Sequence, residues 1–292
     1  MHSRGKRIYG DHVFVTGATS GIGRACARAF ASCGYQVTGV SRSAEVITER
    51  FSGGGTLTLH ALDVTDEAAV KAFVESLPGV DIAILCAGMG VAGPAEITPA
   101  EMTRRQMEVN YFGTLNAAQP CLTRMRRQGK GLLLVIGSIA GRVSIPMQSQ
   151  YSSSKYALEA FTDAVRMEMR PFGVRASIIE PGDTKTGFTA ARITQEIDEA
   201  FAAYEDSAQG DGKDAAAAYG EVLKKSVAKM AADEQNGKDP DSVARVALAL
   251  AAKKEPPARV PVGIDYKALM VLLRFLPDRV KESIISKLYL PE

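Results

Sequence analysis

The chain is poor in several features that would define its class outright. Its 292 residues include four cysteines, Cys26, Cys33, Cys86 and Cys121. None stands in a CxxC pair and three lie in apolar runs, so neither a disulfide framework nor a metal site is expected, and a reducing, cytoplasmic compartment is the simplest reading. There is no excess of one charge: 35 Lys and Arg stand against 33 Asp and Glu. A nucleic-acid partner would call for a strong basic surplus, so none is expected. No long hydrophobic run is present. The longest near the C-terminus, residues 268–273, is too short for a transmembrane segment. The basic start, MHSRGKRIYGDH, lacks the apolar stretch of a secretory signal.

What is present suits one folded domain. The hydrophobic fraction is 46% and the charged fraction 23%, values of a globular chain rather than a disordered one. Residues 12–16, 35–40, 56–61, 80–86, 132–137 and 174–179 read as apolar or alternating strands. Between them, 21–33, 66–77, about 98–128 and about 150–170 read as helices, and 44–51 looks helical as well. Thr98-Pro99-Ala100-Glu101 has the pattern of a capping box with Pro in the first turn. Strand and helix alternating in this way predict an α/β fold, a doubly wound parallel sheet with helices on both faces. Beyond residue 182 the composition shifts. Residues 187–238 suggest helices interrupted by a mobile segment, 239–252 a further helix, 259–263 a last strand, and 266–290 a mixed apolar and basic segment around Pro277.

The first motif is Thr16-Gly17-Ala18-Thr19-Ser20-Gly21-Ile22-Gly23. It follows the first strand and opens the first helix. Glycines in that place allow a tight turn and let backbone N–H groups and the helix N-terminus approach a phosphate. Glycines are common in turns of every kind, so the weight lies in the strand–turn–helix setting. The second strand runs into Gly39-Val40-Ser41-Arg42-Ser43. A dinucleotide site selective for a free ribose 2′-hydroxyl would carry a carboxylate there. Ser41 and Arg42 suit a 2′-phosphate instead, which points to NADP(H). The alternative is a solvated loop charge.

The second motif is Tyr151-Ser152-Ser153-Ser154-Lys155 at the start of a predicted helix. Residues at i and i+4 share a helix face. A phenol ordinarily titrates near pH ~10, and an ammonium close by favours its ionised form. Such a pair can exchange a proton with a carbinol oxygen. The spacing alone fits an ordinary surface pair equally well. Ser138 lies just past the apolar strand that ends at Gly137, at the sheet edge where ligands bind in open α/β folds. Its hydroxyl is placed to bond the same oxygen. Asn110, in MEVNYFG, is a polar residue in an apolar helical stretch. It reads as a water anchor, a kink or a satisfied buried amide.

Taken together, these residues resemble the short-chain dehydrogenase/reductase family. The pieces are TGATSGIG (16–23), LDVTD (62–66), CAG (86–88), Asn110, Ser138, YSSSK (151–155) and PGDTKT (181–186). They keep family order over about residues 10–190. The resemblance implies a Rossmann-like sheet of about seven parallel strands and NAD(P)-dependent exchange between carbonyl and alcohol. It also implies a single domain over 1–292, with a core at about 10–190 and a substrate lid and C-terminal extension at about 187–292. It assigns Asn110, Ser138, Tyr151 and Lys155 as a catalytic tetrad, with Lys155 also on the nicotinamide ribose. Cofactor contacts would come from Gly17, Thr19, Ser20, Gly21, Ile22, Gly23, Ser41, Arg42, Asp63, Val64, Cys86, Ala87, Gly88, Tyr151, Lys155, Pro181, Gly182, Thr184 and Thr186. Asp63 and the Val64 backbone would hold the adenine edge.

Two positions depart from the family pattern. Cys86 stands where an asparagine is usual, and Asp183 where an apolar residue is common. Asp183 either faces the substrate or caps the next helix. The C-terminal part, with RVPVG (259–263) and LLRFLPDRV (272–280), is more loosely similar to the 17β-hydroxysteroid dehydrogenase-like branch. That implies a fairly apolar substrate: steroid-like, lipid-like or acyl. A 3-oxoacyl reductase of the same family and a non-catalytic NADP(H) sensor are the competing readings. The family implies a homodimer or homotetramer. The basic, apolar segment 267–290 suits peripheral membrane contact, or equally a core or subunit contact.

Overall fold

A computed structural model describes residues 7–188 and 211–290. One eight-stranded sheet organises it, in the order β3-β4-β2-β1-β5-β6-β7-β8. The strands are β1 (His12–Thr16), β2 (Gln36–Ser41), β3 (Ile47–Arg50), β4 (Thr56–Ala61), β5 (Ile82–Leu85), β6 (Gly131–Ile136), β7 (Val174–Glu180) and β8 (Arg259–Pro261). Seven are parallel, as the alternation predicts. β3 is the addition: it pairs antiparallel with β4, Ile47 opposite Leu59 and Arg50 opposite Thr56. The stretch 44–51 is therefore not helical. Its Val46, Ile47 and Thr48 carry β-branched side chains, and the free edge of β4 supplies the partner that local propensity does not reveal.

The strand order reverses between β1 and β5. Such a reversal splits the helices between two faces and leaves a crevice at the carboxyl ends of the strands. One face takes α1 (Gly21–Ser32) and a late helix, Pro240–Ala251. There Cys26, Phe30, Val243 and Leu250 pack on Val13, Val15, Ile82, Ile84, Leu132 and Leu134. The other face takes α2 (Glu67–Ser76), α4 (Gly113–Gln128) and α5 (Ser149–Met169). There Val70, Cys121, Met125 and Leu158 pack on the intervening Phe14, Leu85, Leu133 and Val135. Every residue of β6 is buried, which accounts for its unbroken apolar run. All four cysteines are free thiols.

The long helix expected from residue 98 has three parts: α3 (Ala100–Met107), a π-turn (Glu108–Phe112) and α4. Pro99 is the N-cap, and no side chain bonds the first turn. The capping box does not form, because Thr98 falls outside the helix. Its hydroxyl donates to the Pro94 carbonyl at 2.7 Å. Of the region 187–238, over which a substrate lid with a mobile segment is expected, residues 189–210 lie outside the described residues. The part that is described forms one helix, α6 (Asp211–Asn236), running through Gly212 and Gly220 without interruption. It is followed by α7 (Pro240–Ala251), α8 (Ile264–Phe275) and α9 (Asp278–Tyr289), the last two divided at Pro277.

Candidate active site

The crevice begins at the end of β1. The Thr16 hydroxyl accepts the Cys86 and Ala87 amides at 2.9 and 3.1 Å, which joins the end of β1 to the end of β5 across the reversal. Two of the glycines are needed here. Gly17 sits at φ +69°, left-handed, against the Ala87 backbone. A Cβ on Gly23 would lie 2.2 Å from the Gly17 carbonyl oxygen. The turn and the first helical turn are thus pressed together. The Ser20 side chain makes no cap bond and no acid occupies the first turn of α1. The helix end therefore offers its amides, with their partial positive charge, to an anion. Such a turn suits a pyrophosphate, with glycines at 17, 21 and 23 leaving the backbone open to approach.

A cleft of about 360 Å³ continues from it. Gly17, Ser20, Gly21, Ile22, Gly23, Cys86, Ala87 and Gly88 line it together with Ser138, Tyr151, Lys155, Pro181, Gly182, Thr184 and Thr186, the last standing against Gly21. A larger, open recess of about 950 Å³ lies outside α1, lined by Arg24, Arg28, Asp241 and Arg245, and holds none of the catalytic candidates.

Tyr151 and Lys155 occupy the first turns of α5, and the Lys155 Nζ lies 5.6 Å from the Tyr151 ring centre. The ammonium donates to the Ile136 carbonyl at 3.1 Å, so it is anchored to β6 while facing the cleft. Ser138, immediately beyond β6, accepts the Ala140 amide at 3.1 Å. That bond orients its Oγ and leaves its proton available. Asn110 lies in the π-turn, fully buried. Its Oδ1 accepts the Met89 amide at 2.8 Å, and its Nδ2 donates to the Met89 carbonyl and to Ser154 Oγ, each at 3.0 Å. It is a satisfied amide fastening the π-turn to α5, outside the cleft lining, with no bond to Lys155.

Other expected residues also lie outside the lining. Thr19 Oγ1 donates to Ser41 Oγ at 3.0 Å, and Arg42 follows as an exposed residue. Asp63 Oδ1 accepts the Thr65 amide and hydroxyl at 2.9 and 2.8 Å. The Val64 carbonyl accepts Asn116 Nδ2 at 2.9 Å. Cys86 is within the lining, and burial pushes its thiol up to about 12 against the opposing pull of Lys155.

Several lining residues have no local signal in the sequence. Glu234, from α6, accepts the Thr186 hydroxyl at 2.7 Å and the Phe188 amide at 3.0 Å. The Phe188 ring stands 5.7 Å from that of Tyr151. Gln148, Met230 and Tyr289 complete the wall. Asp183 is in the cleft lining, and among the described residues it caps no helix. Its Oδ2 accepts the Tyr266 hydroxyl at 2.6 Å, and its own amide donates back to that oxygen at 3.1 Å. Burial, then the Asp183 bond, raise the Tyr266 phenol above its ordinary range. The Tyr266 ring lies where a Cβ on Gly182 would stand, which accounts for the glycine.

Behind the cleft, one turn beyond Lys155, is a buried acid pair. Glu159 accepts Arg259 Nε at 2.7 Å. Glu180, at the end of β7, lies 3.7 Å from Arg142 and 4.0 Å from Arg259, and among the described residues neither of its oxygens has a hydrogen-bond partner. Burial, and then the Glu180 charge, push the Glu159 carboxyl up to about 7 against Arg259. Burial raises Glu180 too, against Arg142.

A glycine cradle, a Tyr–Lys pair on one helix and a serine at the neighbouring strand end share one crevice, and the sequence model of the short chain dehydrogenases matches residues 11–197. The chain belongs to the short-chain dehydrogenase family. It is 30% identical over 282 residues to a 3-ketodihydrosphingosine reductase from Bacteroides thetaiotaomicron, a match covering 95% of this chain and 97% of that one. A short-chain dehydrogenase from Streptomyces avermitilis has a similar structure, with TM-score 0.73, 25% identity and 94% of each chain covered. One from Burkholderia cenocepacia, solved with NADP, matches in fold with TM-score 0.70 and 22% identity, covering 98% of this chain and all of that one. The protein is thus an oxidoreductase of a family that works with nicotinamide cofactors, and the cradle at Gly17–Gly23 fits the phosphates of such a group.

Proposed function

We propose that the protein is an NADP(H)-dependent carbonyl reductase, reversible as an alcohol dehydrogenase, acting on a ketone or secondary alcohol with a largely apolar body. The observation that carries the reading is the Tyr151–Lys155 pair facing one cleft with Ser138. Gly17, Ser20, Gly21, Ile22 and Gly23 would hold the diphosphate, Thr19, Ser41 and Arg42 the 2′-phosphate side, and Asp63 and Val64 the adenine. Cys86, Ala87 and Gly88 would back the ribose, and Pro181, Gly182, Thr184 and Thr186 the nicotinamide end. The bound cofactor supplies or accepts the hydride. In reduction, Tyr151 gives its phenolic proton to the substrate oxygen while the Ser138 hydroxyl bonds the same atom. The Lys155 ammonium stabilises the negative charge left on Tyr151 and bonds the ribose. In oxidation Tyr151 takes the proton back. Asn110 acts through structure, holding the π-turn against Ser154 one residue from Lys155.

Ile139, Ile145, Phe188 and Met230 give the substrate end an apolar lining, and the Bacteroides relative is named for a keto substrate. Both support an apolar ketone. Exposed Phe112, Tyr156, Met167 and Phe172 support pairing of subunits across α4 and α5 into a dimer or tetramer. The test is NADPH and NADH oxidation with a panel of ketones, from short polar ones to 3-ketodihydrosphingosine, alongside Tyr151→Phe. The reading expects turnover with NADPH on the apolar members. Equal turnover by wild type and variant would remove its basis.

A further inference from the structure

The outer surface of the two C-terminal helices has a pattern that the reaction does not use. α8 buries Met270 and Leu273 against Ile139, with Tyr266, Leu269 and Leu276 beside them. Its other side is open: Ile264 is 86% exposed, Val271 62%, Leu272 53% and Phe275 78%. Ile264, Ala268, Val271 and Phe275 follow helical spacing and form one continuous apolar stripe. Lys267 and Arg274 border it, both exposed. α9 adds exposed Val280 and Leu288 with Arg279 and Lys287.

The charges here are unbalanced. Asp265 is paired with Lys238 at 2.9 Å and Asp278 with Lys281 at 3.0 Å. Lys267, Arg274, Arg279 and Lys287 form no ion pair among the described residues, and Glu282 is the remaining acid of the two helices. A second copy on a two-fold axis would bring the stripe onto itself and set this basic border against its own like. An anionic lipid surface takes up the apolar stripe and matches the cations. Both helices also border the cleft, through Tyr266 on Asp183 and through Tyr289 in its wall. No helix among the described residues is long and apolar enough to cross a membrane.

We propose that the outer face of α8 and α9 docks on an anionic lipid surface, so that an apolar ketone carried by lipid enters the cleft from that side. The proposal rests on the apolar-substrate reading above. The test is flotation of the full chain with vesicles of phosphatidylcholine and phosphatidylglycerol, against vesicles of phosphatidylcholine alone. Flotation with the anionic vesicles is expected, weakened by salt. Each basic residue near such a surface contributes about a fivefold factor in partitioning. Lys267→Glu with Arg274→Glu should therefore lower binding at least about tenfold, and Val271→Glu with Phe275→Glu should abolish it. Both pairs should leave turnover of a water-soluble ketone unchanged. If the apolar pair fails to fold, the charge pair and the salt dependence decide.

Absence of flotation, equal flotation with both vesicle types, or binding unaffected by the folded variants would overturn the proposal. So would a wild type that ignores vesicles but loses subunit mass on Val271→Glu with Phe275→Glu, which makes the face a protein interface. Turnover without flotation defeats the docking alone. Flotation without turnover of any ketone defeats the functional reading and leaves the docking standing.

Discussion

The two ends of the cleft are built in opposite ways. At the β1–α1 end the wall is one short stretch, Gly17 and Ser20 to Gly23, backed by Cys86 to Gly88, and the glycines are what matter: Gly23 is pressed on Gly17, and Gly17 on Ala87. At the β6–α5 end the wall is made of side chains brought from far apart, Ser138, Tyr151, Met230 and Tyr289. A cradle for phosphate needs only backbone amides and a helix end, which a short stretch of chain can supply by itself. Proton transfer needs several functional groups around one atom, and these converge only when distant elements pack.

The sharpest way to separate the two ends is Tyr151→Phe. It removes one hydroxyl and should lower kcat by about 10²–10⁴-fold, while cofactor affinity, read by quenching or calorimetry, stays near wild type. A parallel loss of both would mean that the ends are not independent. Arg42→Ala addresses the opposite end. On the NADP(H) reading, losing this guanidinium should weaken NADPH binding by about 1.5–3 kcal/mol and leave NADH affinity little changed; equal losses would show that Arg42 does not read the 2′-phosphate. Gly23→Ala places a methyl group against the Gly17 carbonyl. It should cost about 1–3 kcal/mol through overpacking, seen as a lower Tm together with weaker binding of both cofactors.

The smallest expected effect concerns the acid pair behind the catalytic end. Glu159 titrates at about 7, raised from an ordinary 4.5. Between those values the folded form keeps a proton that the unfolded chain has lost. This contribution is therefore complete below about 4.5 and fades as the pH rises through about 7. Glu159→Gln cannot ionise, so it should flatten the fall in urea stability between weakly acidic and weakly basic pH by about 1–2 kcal/mol. An unchanged slope would mean that the pair is already neutralised by Arg259 and Arg142.

Legibility in the sequence follows the same division. The parallel strands are readable because β5 and β6 are buried on both faces and carry unbroken apolar runs. The helix start at Pro240 is readable from Asp239, whose side chain accepts the Asp241 amide at 2.8 Å. β3 is not, since an edge strand is defined by the partner it meets. The Thr98 box has the right letters one step outside the helix, where the Pro94 carbonyl takes the hydroxyl. Asn110 stands out as an anomaly in an apolar helix, but its partners, Met89 and Ser154, come from elsewhere. Glu234 and Tyr289 give no signal, because nothing near them in the chain distinguishes them from other helix residues.

Order along the chain determined the parallel strands, the glycine turn after β1 and the sharing of one helix face by Tyr151 and Lys155, because each depends on interactions within a few residues. Only folding decided that β3 closes the sheet edge, that Glu234 holds Thr186 and Phe188, that Tyr266 fills the space above Gly182, and that α8 turns an apolar face outward. The contacts of Glu234 and Tyr266 join segments far apart in sequence, and β3, although it meets its near neighbour β4, takes its place only when the sheet edge is there to receive it.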